Sequence, residues 1–166
     1  MVRLETERLS IFPITPAQHR LWVEDLPELE RELGRPYRGV PRAGSDLEDA
    51  RRQLGEAEKN PARYPYHTAW FLVEKKLGLV VGTAHFRGAP DSSGEVEIRD
   101  SMGKPHRGRG YMTEAVEAIC CWALAQPEVA HITAETDFMM GRASLRILER
   151  LGFQKYREEE TVWWRL

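Results

Sequence analysis

Cysteine is scarce in this 166-residue sequence, and the two cysteines, Cys120 and Cys121, are adjacent. A disulfide scaffold or a metal site needs ligands that are separated along the chain, so neither is expected here. Both cysteines fall in an apolar helical pattern and are predicted to fill the core. No stretch approaches the roughly 20 apolar residues that span a bilayer, and the N-terminus lacks the features of a signal peptide. These absences predict a cytoplasmic protein with no membrane segment and no metal.

An excess of either charge is also missing, because 24 basic and 26 acidic residues give a net charge of −2. That balance gives no reason to expect nucleic-acid binding. The distribution says more, since basic residues gather near a pair of glycines: Arg99, Lys104, His106, Arg107 and Arg109. Such a patch favours an anionic ligand. Acidic residues crowd positions 24–32, which would suit a cationic acceptor or form a solvated helix face.

Hydrophobic periodicity predicts an α+β protein with one domain over residues 1–166. We expect a mixed, mostly antiparallel sheet of six to seven strands, flanked by helices on both faces. The predicted strands cover residues 7–14, 67–74, 79–87, 95–102 and 131–137, with one or two more in the tail. The predicted helices begin at Pro16 with a break or kink at Pro27, at a cap formed by Ser45 or Asp46, at Gly110 and at Ala143.

The most informative segment is Arg-Gly-Arg-Gly-Tyr-Met at residues 107–112, between a predicted strand and a predicted helix. Gly108 and Gly110 permit backbone conformations that side chains forbid, and the helix that follows presents free N–H groups. The helix dipole and the neighbouring Arg107 and Arg109 favour a pyrophosphate there. No Gly-Lys-Ser/Thr is present, and the spacing differs from Gly-x-Gly-x-x-Gly, which disfavours ATP and NAD. The alternative is a tight turn without a ligand.

This segment and its flanks resemble the GNAT N-acetyltransferase superfamily, whose signature is Gln/Arg-x-x-Gly-x-Gly/Ala at a strand-to-helix junction. Arg107 and Gly110 match the signature, while Met112 replaces its small last residue. The sequence also resembles the RimJ/RimL-type branch of this superfamily at residues 4–9, 96–98, 111–115 and 144–153.

The resemblance implies a GNAT fold, acetyl-CoA as the acyl donor and direct attack by a primary amine, without a covalent enzyme intermediate. It implies that the turn binds the pyrophosphate and that the preceding strand pairs with the pantetheine arm. The implied CoA-binding residues are Asp100, Ser101, Met102, Arg107, Gly108, Arg109, Gly110, Tyr111, Met112, Thr113 and Gly141, the last standing where the family has asparagine.

Direct attack requires a proton acceptor for the amine and a proton donor for the departing thiolate. Glu97, on the strand beside the expected thioester, is the first prediction for the acceptor, although an ion-paired strand carboxylate fits its position equally. His85 is the second prediction for the proton acceptor. The family's Asn-x-x-Ser motif implies Ser144 as the donor, and Leu148 excludes the tyrosine that some relatives have at that place.

The RimJ/RimL-like pattern makes a protein N-terminal amine the first prediction for the acceptor. A small amine is the alternative, such as a polyamine, an amino acid or an aminoglycoside. Arg99 and Asp100 stand where relatives often have Gly-Tyr, which places a charged pair beside the acyl group and bears on acceptor choice. Gly141 and Leu148 also motivate a non-catalytic CoA-binding domain as a rival. A monomer or a homodimer is expected.

Overall fold

The computed structural model describes residues 1–136 and 142–166, with the side chains of the second range described from residue 145 onward. The predicted Gly141 and the side chain of Ser144 therefore lie outside the described residues. The strands are β1 (Leu4–Glu5), β2 (Leu9–Pro13), β3 (Ala69–Glu74), β4 (Leu79–Phe86), β5 (Glu95–Met102), β6 (His131–Thr136), β7 (Gln154–Glu158) and β8 (Val162–Arg165). The α-helices are α1 (Pro16–Glu24), α2 (Leu26–Leu33), α3 (Gly44–Lys59), α4 (Tyr111–Leu124) and α5 (Arg142–Arg150). Short 3₁₀ segments cover Pro61–Tyr66 and Lys104–His106.

The strands form an eight-stranded sheet in the order β1-β2-β3-β4-β5-β6-β8-β7. All neighbours are antiparallel except β5 and β6, which run parallel. The predicted mixed, mostly antiparallel α+β sheet is confirmed, with one strand more than the upper limit of six to seven. The two-residue β1 was not predicted, because so short a strand carries no periodicity.

Helices cover both faces of the sheet, because central strands such as β3 have apolar side chains that point alternately to the two faces. Phe71 and Val73 point to the face that packs against α1, α2 and α3. Trp70 and Leu72 point to the opposite face, where α4 and α5 pack. Every residue of β3 is buried, as expected for a central strand covered on both sides.

Three local predictions need correction. The first helix breaks at Asp25 and not at Pro27, because the Asp25 carboxylate accepts a hydrogen bond from the N–H of Glu28 and starts α2. Neither Ser45 nor Asp46 caps α3, which begins at Gly44 without a side-chain cap. Cys120 is buried in the core but its neighbour is exposed, because consecutive residues on a helix point in different directions.

The feature that organises the site is a separation of β5 from β6. Residues 95–97 of β5 pair with residues 131–133 of β6. Residues 98–102 pair only with β4 among the described residues, while β6 continues by pairing with β8. One edge of the second half of β5 therefore presents N–H and C=O groups that need partners.

Candidate functional site

Three cavities meet at the second half of β5, and we name them by the elements beside them. The β5–β6 cavity, of about 300 Å³, lies in the separation of the two strands. The α3 cavity, of about 230 Å³, lies on the face covered by α1–α3. The α4 cavity, of about 640 Å³, lies at the start of α4 and reaches α5. Asp100 lines all three, so it marks the point where the two faces of the sheet communicate.

The glycine turn forms one wall of the α4 cavity. Gly108 and Gly110 have φ values of 75° and 79°, in the left-handed region that other residues rarely adopt. A Cβ atom at Gly108 would meet no atom within 4 Å, so the backbone there faces open space. Glu114 is the first residue of α4 whose N–H donates within the chain, to the Gly110 carbonyl at 3.2 Å. The N–H groups of residues 108–113 have no acceptor within the described chain. They belong to the turn and to the first residues of α4, whose N-terminus has no side-chain cap.

Positive charge surrounds the same cavity. Arg107 and Arg109 come from the turn, and Arg146 and Arg150 come from α5, where a spacing of four places both on one helix face. His106 is buried beside them, and its Nδ1 atom has no hydrogen-bond partner among the described residues. An open backbone cradle, free amides and guanidinium groups fit a polyphosphate. The arginines of α5 were not predicted, although their i, i+4 spacing was readable.

All described residues predicted to bind CoA line the α4 cavity: Asp100, Ser101, Met102, Arg107, Gly108, Arg109, Gly110, Tyr111, Met112 and Thr113. Tyr111 and Met112 bury their side chains in the core. The side chain of Met112, at the position where the family has a small residue, is therefore accommodated by packing in the core.

An ion-pair network holds the turn from outside the cavity. The Glu114 carboxylate accepts hydrogen bonds from Thr6 Oγ1 at 2.6 Å and from Arg8 N and Nε, both at 2.8 Å. Arg8 Nη1 donates to the Arg109 carbonyl at 2.8 Å, and the Arg8 guanidinium stacks on the Tyr111 ring. The N-terminal segment thus clamps the glycine turn onto the sheet, a role that the sequence did not reveal.

Replacing Glu114 with alanine is expected to lower the free energy of unfolding by about 1.5–3 kcal/mol, because charged hydrogen bonds of Arg8 and Thr6 lose their acceptor. Burial alone would raise the pKa of Glu114, but the bonds from Thr6 and Arg8 outweigh it and the pKa is lowered. The contribution is therefore present above the ordinary glutamate pKa and is lost as pH falls through the lowered value. Denaturant titrations near neutral pH and in acid measure this. Glu117→Ala, on an exposed face of the same helix, is the control; equal losses in the two variants would contradict the clamp.

Glu97 lies on the face of β5 that points toward α3, with 13% of its side chain exposed. Its carboxylate pairs with Arg99 Nε at 3.1 Å and with Arg87 Nη1 at 3.8 Å, and Arg99 pairs in turn with Glu135 at 3.2 Å. Glu97 lines none of the three cavities within the described residues. The structure therefore places this predicted base in an ion-pair network beside the site.

His85 faces Arg99 across the β4–β5 pair and lines the α3 cavity. Burial, and then the charges of Arg42 and Arg99, lower the pKa of His85 to about 4. The imidazole is accordingly neutral at physiological pH, because burial and the neighbouring positive charges oppose its protonation.

Asp100 was predicted to bind the cofactor, and in the structure the pKa of its carboxyl group is also shifted. Asp100 is exposed to solvent within the cleft and lines all three cavities. Partial desolvation by the surrounding protein raises the pKa of Asp100 to about 6. No side chain among the described residues donates to it or forms an ion pair with it. An unpaired carboxylate with a raised pKa at the junction of three cavities is suited to accept a proton.

Leu148 is buried and lines the β5–β6 cavity. An apolar group therefore occupies the position at which some relatives have tyrosine. Among the described residues, no cluster of histidine, cysteine or acidic groups could hold a metal ion, and no helix is long and apolar enough to cross a membrane.

Comparisons with known proteins agree with this geometry. A family model described as an acetyltransferase (GNAT) domain matches residues 8–154. The uncharacterized N-acetyltransferase YjdG of Bacillus subtilis is 30% identical, with 92% of this chain and 90% of that protein covered.

Solved structures show the same fold at lower identity. A GNAT-family acetyltransferase from Bordetella pertussis, named as putative, superposes with a TM-score of 0.70 at 20% identity over 99% of both chains. A structure titled RimL, a ribosomal L7/L12 alpha-N-protein acetyltransferase in complex with coenzyme A, gives a TM-score of 0.68 at 12% identity. It covers 99% of this chain and 97% of that one.

Proposed function

This chain belongs to the GNAT family of acetyltransferases, and from that membership we propose that it transfers an acetyl group from acetyl-CoA to a primary amine by direct attack. It is an acetyl-CoA-dependent N-acetyltransferase by class. The observation that carries the donor assignment is the α4 cavity, where a backbone cradle, unpaired amides and four arginines surround one space. CoA is the polyphosphate that the family uses, and its charge matches these groups.

The donor lies along two of the cavities in this proposal. The phosphates occupy the α4 cavity, held by the amides of residues 108–113 and by Arg107, Arg109, Arg146 and Arg150. The pantetheine arm carries amide groups, and the edge of residues 98–101, which pairs with no strand other than β4 among the described residues, offers it hydrogen-bond partners. The arm then runs toward the β5–β6 cavity, whose apolar lining of Ile98, Ile147 and Leu148 suits a methylene chain and thioester.

The acceptor enters from the α3 cavity, on the other face of the sheet. The two substrates thus meet at Asp100, which both faces reach. In the transfer, a bond forms between the amine nitrogen and the acetyl carbon, and the bond from that carbon to sulfur breaks. One proton leaves the amine and one proton joins the thiolate.

We assign the proton acceptor to Asp100 in preference to Glu97. Among the described residues, Asp100 lines the junction without an ion-pair partner, whereas Glu97 is held by two arginines and lines none of the three cavities. Ser144 remains the predicted proton donor. Its backbone is in the first turn of α5, the helix that borders the β5–β6 cavity.

A thiol-release assay with acetyl-CoA tests the function, using a panel that contains peptides with free N-termini, a polyamine, an aminoglycoside and amino acids. We expect release above the hydrolysis background with at least one amine, and that amine should gain the mass of one acetyl group. The class of the best acceptor separates a protein N-terminal amine from a small molecule. No release with any acceptor, by protein that still binds CoA in calorimetry, would establish the non-catalytic rival.

A further inference from the structure

Arg42, in the loop before α3, forms no ion pair with a carboxylate among the described residues. Its Nη2 donates to Ser101 Oγ at 3.0 Å and to Thr83 Oγ1 at 3.3 Å. Its guanidinium lies over the Trp22 ring, 5.0 Å from the centroid. The Nε atom is buried and has no partner among the described residues. Hydroxyls and an aromatic ring orient this group without cancelling its charge.

The other arginines of the α3 cavity are different. Arg52 pairs with Asp49, and Arg87 and Arg99 share Glu97. In the described part of the chain, Arg42 is the one arginine lining this cavity without a carboxylate partner. The pKa of His85 is lowered first by burial and then by the charges of Arg42, Arg99 and Arg87, while Asp49 opposes them.

Arg42 is partly buried, and a buried donor such as its Nε is costly unless a partner arrives. Carboxylate is the partner that its planar fork matches, and charge-assisted pairs of this kind are short and strong. Arg42 is also anchored to Ser101, the residue next to Asp100. Ser101 and Asp100 point to opposite faces of β5, but Arg42 and Asp100 both line the α3 cavity.

We propose that Arg42 is a carboxylate-binding residue of the acceptor site, so that the preferred amine carries a carboxylate close to its amino group. The inference rests on the proposed function, and it names the acceptor chemistry. The amine lies at Asp100 and the carboxylate at Arg42. A free amino acid provides this pair of groups, as does an acidic first residue of a peptide.

The same arrangement selects against polycations. A polyamine or an aminoglycoside would bring a second ammonium group toward Arg42 and the neighbouring Arg87 and Arg99. None of the acidic residues at 24–32 lines the α3 cavity. Its carboxylates are Asp46, Asp49 and Asp100, fewer than its four arginines, and Asp49 is already paired with Arg52.

Two pairs of N-acetylated products measure the site without turnover: N-acetylalanine against N-acetylalaninamide, and N-acetyl-Glu-Ala-amide against N-acetyl-Gln-Ala-amide. Within each pair only a carboxylate is exchanged for an amide. With CoA present, we expect the wild-type protein to bind the carboxylate member of one pair about 10- to 100-fold more tightly, the range of a charged hydrogen-bonded pair. The first pair identifies a free amino acid, and the second identifies an acidic N-terminal residue.

Arg42→Met, whose side chain keeps an apolar stem on Trp22, should remove that preference. Arg42→Lys retains the charge without the fork, is expected to lose part of the preference, and replaces the first variant if that one does not fold. Arg52→Met is the control, because it removes an arginine of the same cavity that is already ion-paired. Equal binding within both pairs by the wild-type protein, or an undiminished preference in the Arg42 variants, would overturn the assignment.

The corresponding unacetylated amines are then assayed as acceptors. A carboxylate preference in binding with no thiol release from any of them rejects the proposed transfer to these amines and leaves the Arg42 site standing. Turnover without preference rejects the Arg42 site and leaves the transferase standing.

Discussion

Replacing Asp100 with asparagine is expected to lower kcat/KM for the best amine by a factor of about 10² to 10⁴, the usual contribution of a positioned general base. Asparagine has nearly the same shape but cannot accept the proton that the amine must lose. Affinity for CoA should stay equal or increase, because the change removes a negative charge from the wall of the α4 cavity. A loss confined to kcat/KM with intact CoA binding therefore separates proton transfer from donor binding.

The pH dependence distinguishes this role from a structural one. In the wild-type enzyme, kcat/KM should rise with pH through the Asp100 pKa of about 6, because only the ionised carboxylate accepts a proton. The Asn variant should lack this limb.

Stability changes in the opposite sense. The pKa of Asp100 is raised in the folded protein, so ionisation costs the wild-type protein stability as pH rises from the ordinary aspartate value to about 6. The variant avoids that cost and should melt higher at pH 8.

Glu97→Gln is the matched comparison, since it removes the other carboxylate that the sequence suggested. We expect less than a tenfold loss of kcat/KM, because Glu97 lines none of the described cavities and its partners Arg87 and Arg99 remain. A larger loss in Glu97→Gln than in Asp100→Asn would transfer the role of base to Glu97.

The fold and the glycine turn were predictable because their signals are local. Alternation on the central strands and the helical period of α4 follow from which faces are buried. The glycine turn is recognisable because left-handed backbone at positions 108 and 110 requires glycine there. The residues proposed to bind CoA form two short runs, at 100–102 and 107–113, so predicting the turn also predicted most of the wall of the α4 cavity.

The proposed proton-transfer groups and acceptor site were harder to predict from the sequence, because they depend on long-range contacts. Glu97 and Asp100 both looked like strand carboxylates, and only the separation of β5 from β6 places one in the cleft and the other among arginines. Arg42 comes from a loop that shows no periodicity, and its significance arises from Ser101, 59 positions away. The contact between Arg8 and Glu114 spans 106 positions and is equally invisible to pattern analysis.

Introducing aspartate at Gly108 is expected to weaken CoA binding by a factor of about 10² to 10³. The side chain would extend from the cradle into open space, since no atom lies within 4 Å of its Cβ position. Two unit charges 4 Å apart repel by about 4 kcal/mol at an effective dielectric constant of about 20, and the surrounding arginines reduce that value. Gly108 is a sharper choice than Gly110, where a new carboxylate would lie near Arg8 Nη2 and form an ion pair with it.

Gly108→Asn is the control, because it has the same shape without the charge. Asparagine and aspartate both tolerate left-handed backbone, and the strain they add is present with and without ligand, so it cancels from the affinity. We expect the Asn variant to retain CoA affinity within about tenfold of wild type, well short of the loss from a charge placed beside a phosphate. Calorimetric titration with CoA measures both variants, and thermal melting confirms that they fold. Similar affinities for the two would mean that the phosphates do not occupy the turn. In that case the arginines of α5 would have to hold the donor on the far side of the α4 cavity, and the amides of residues 108–113 would have no ligand to explain them.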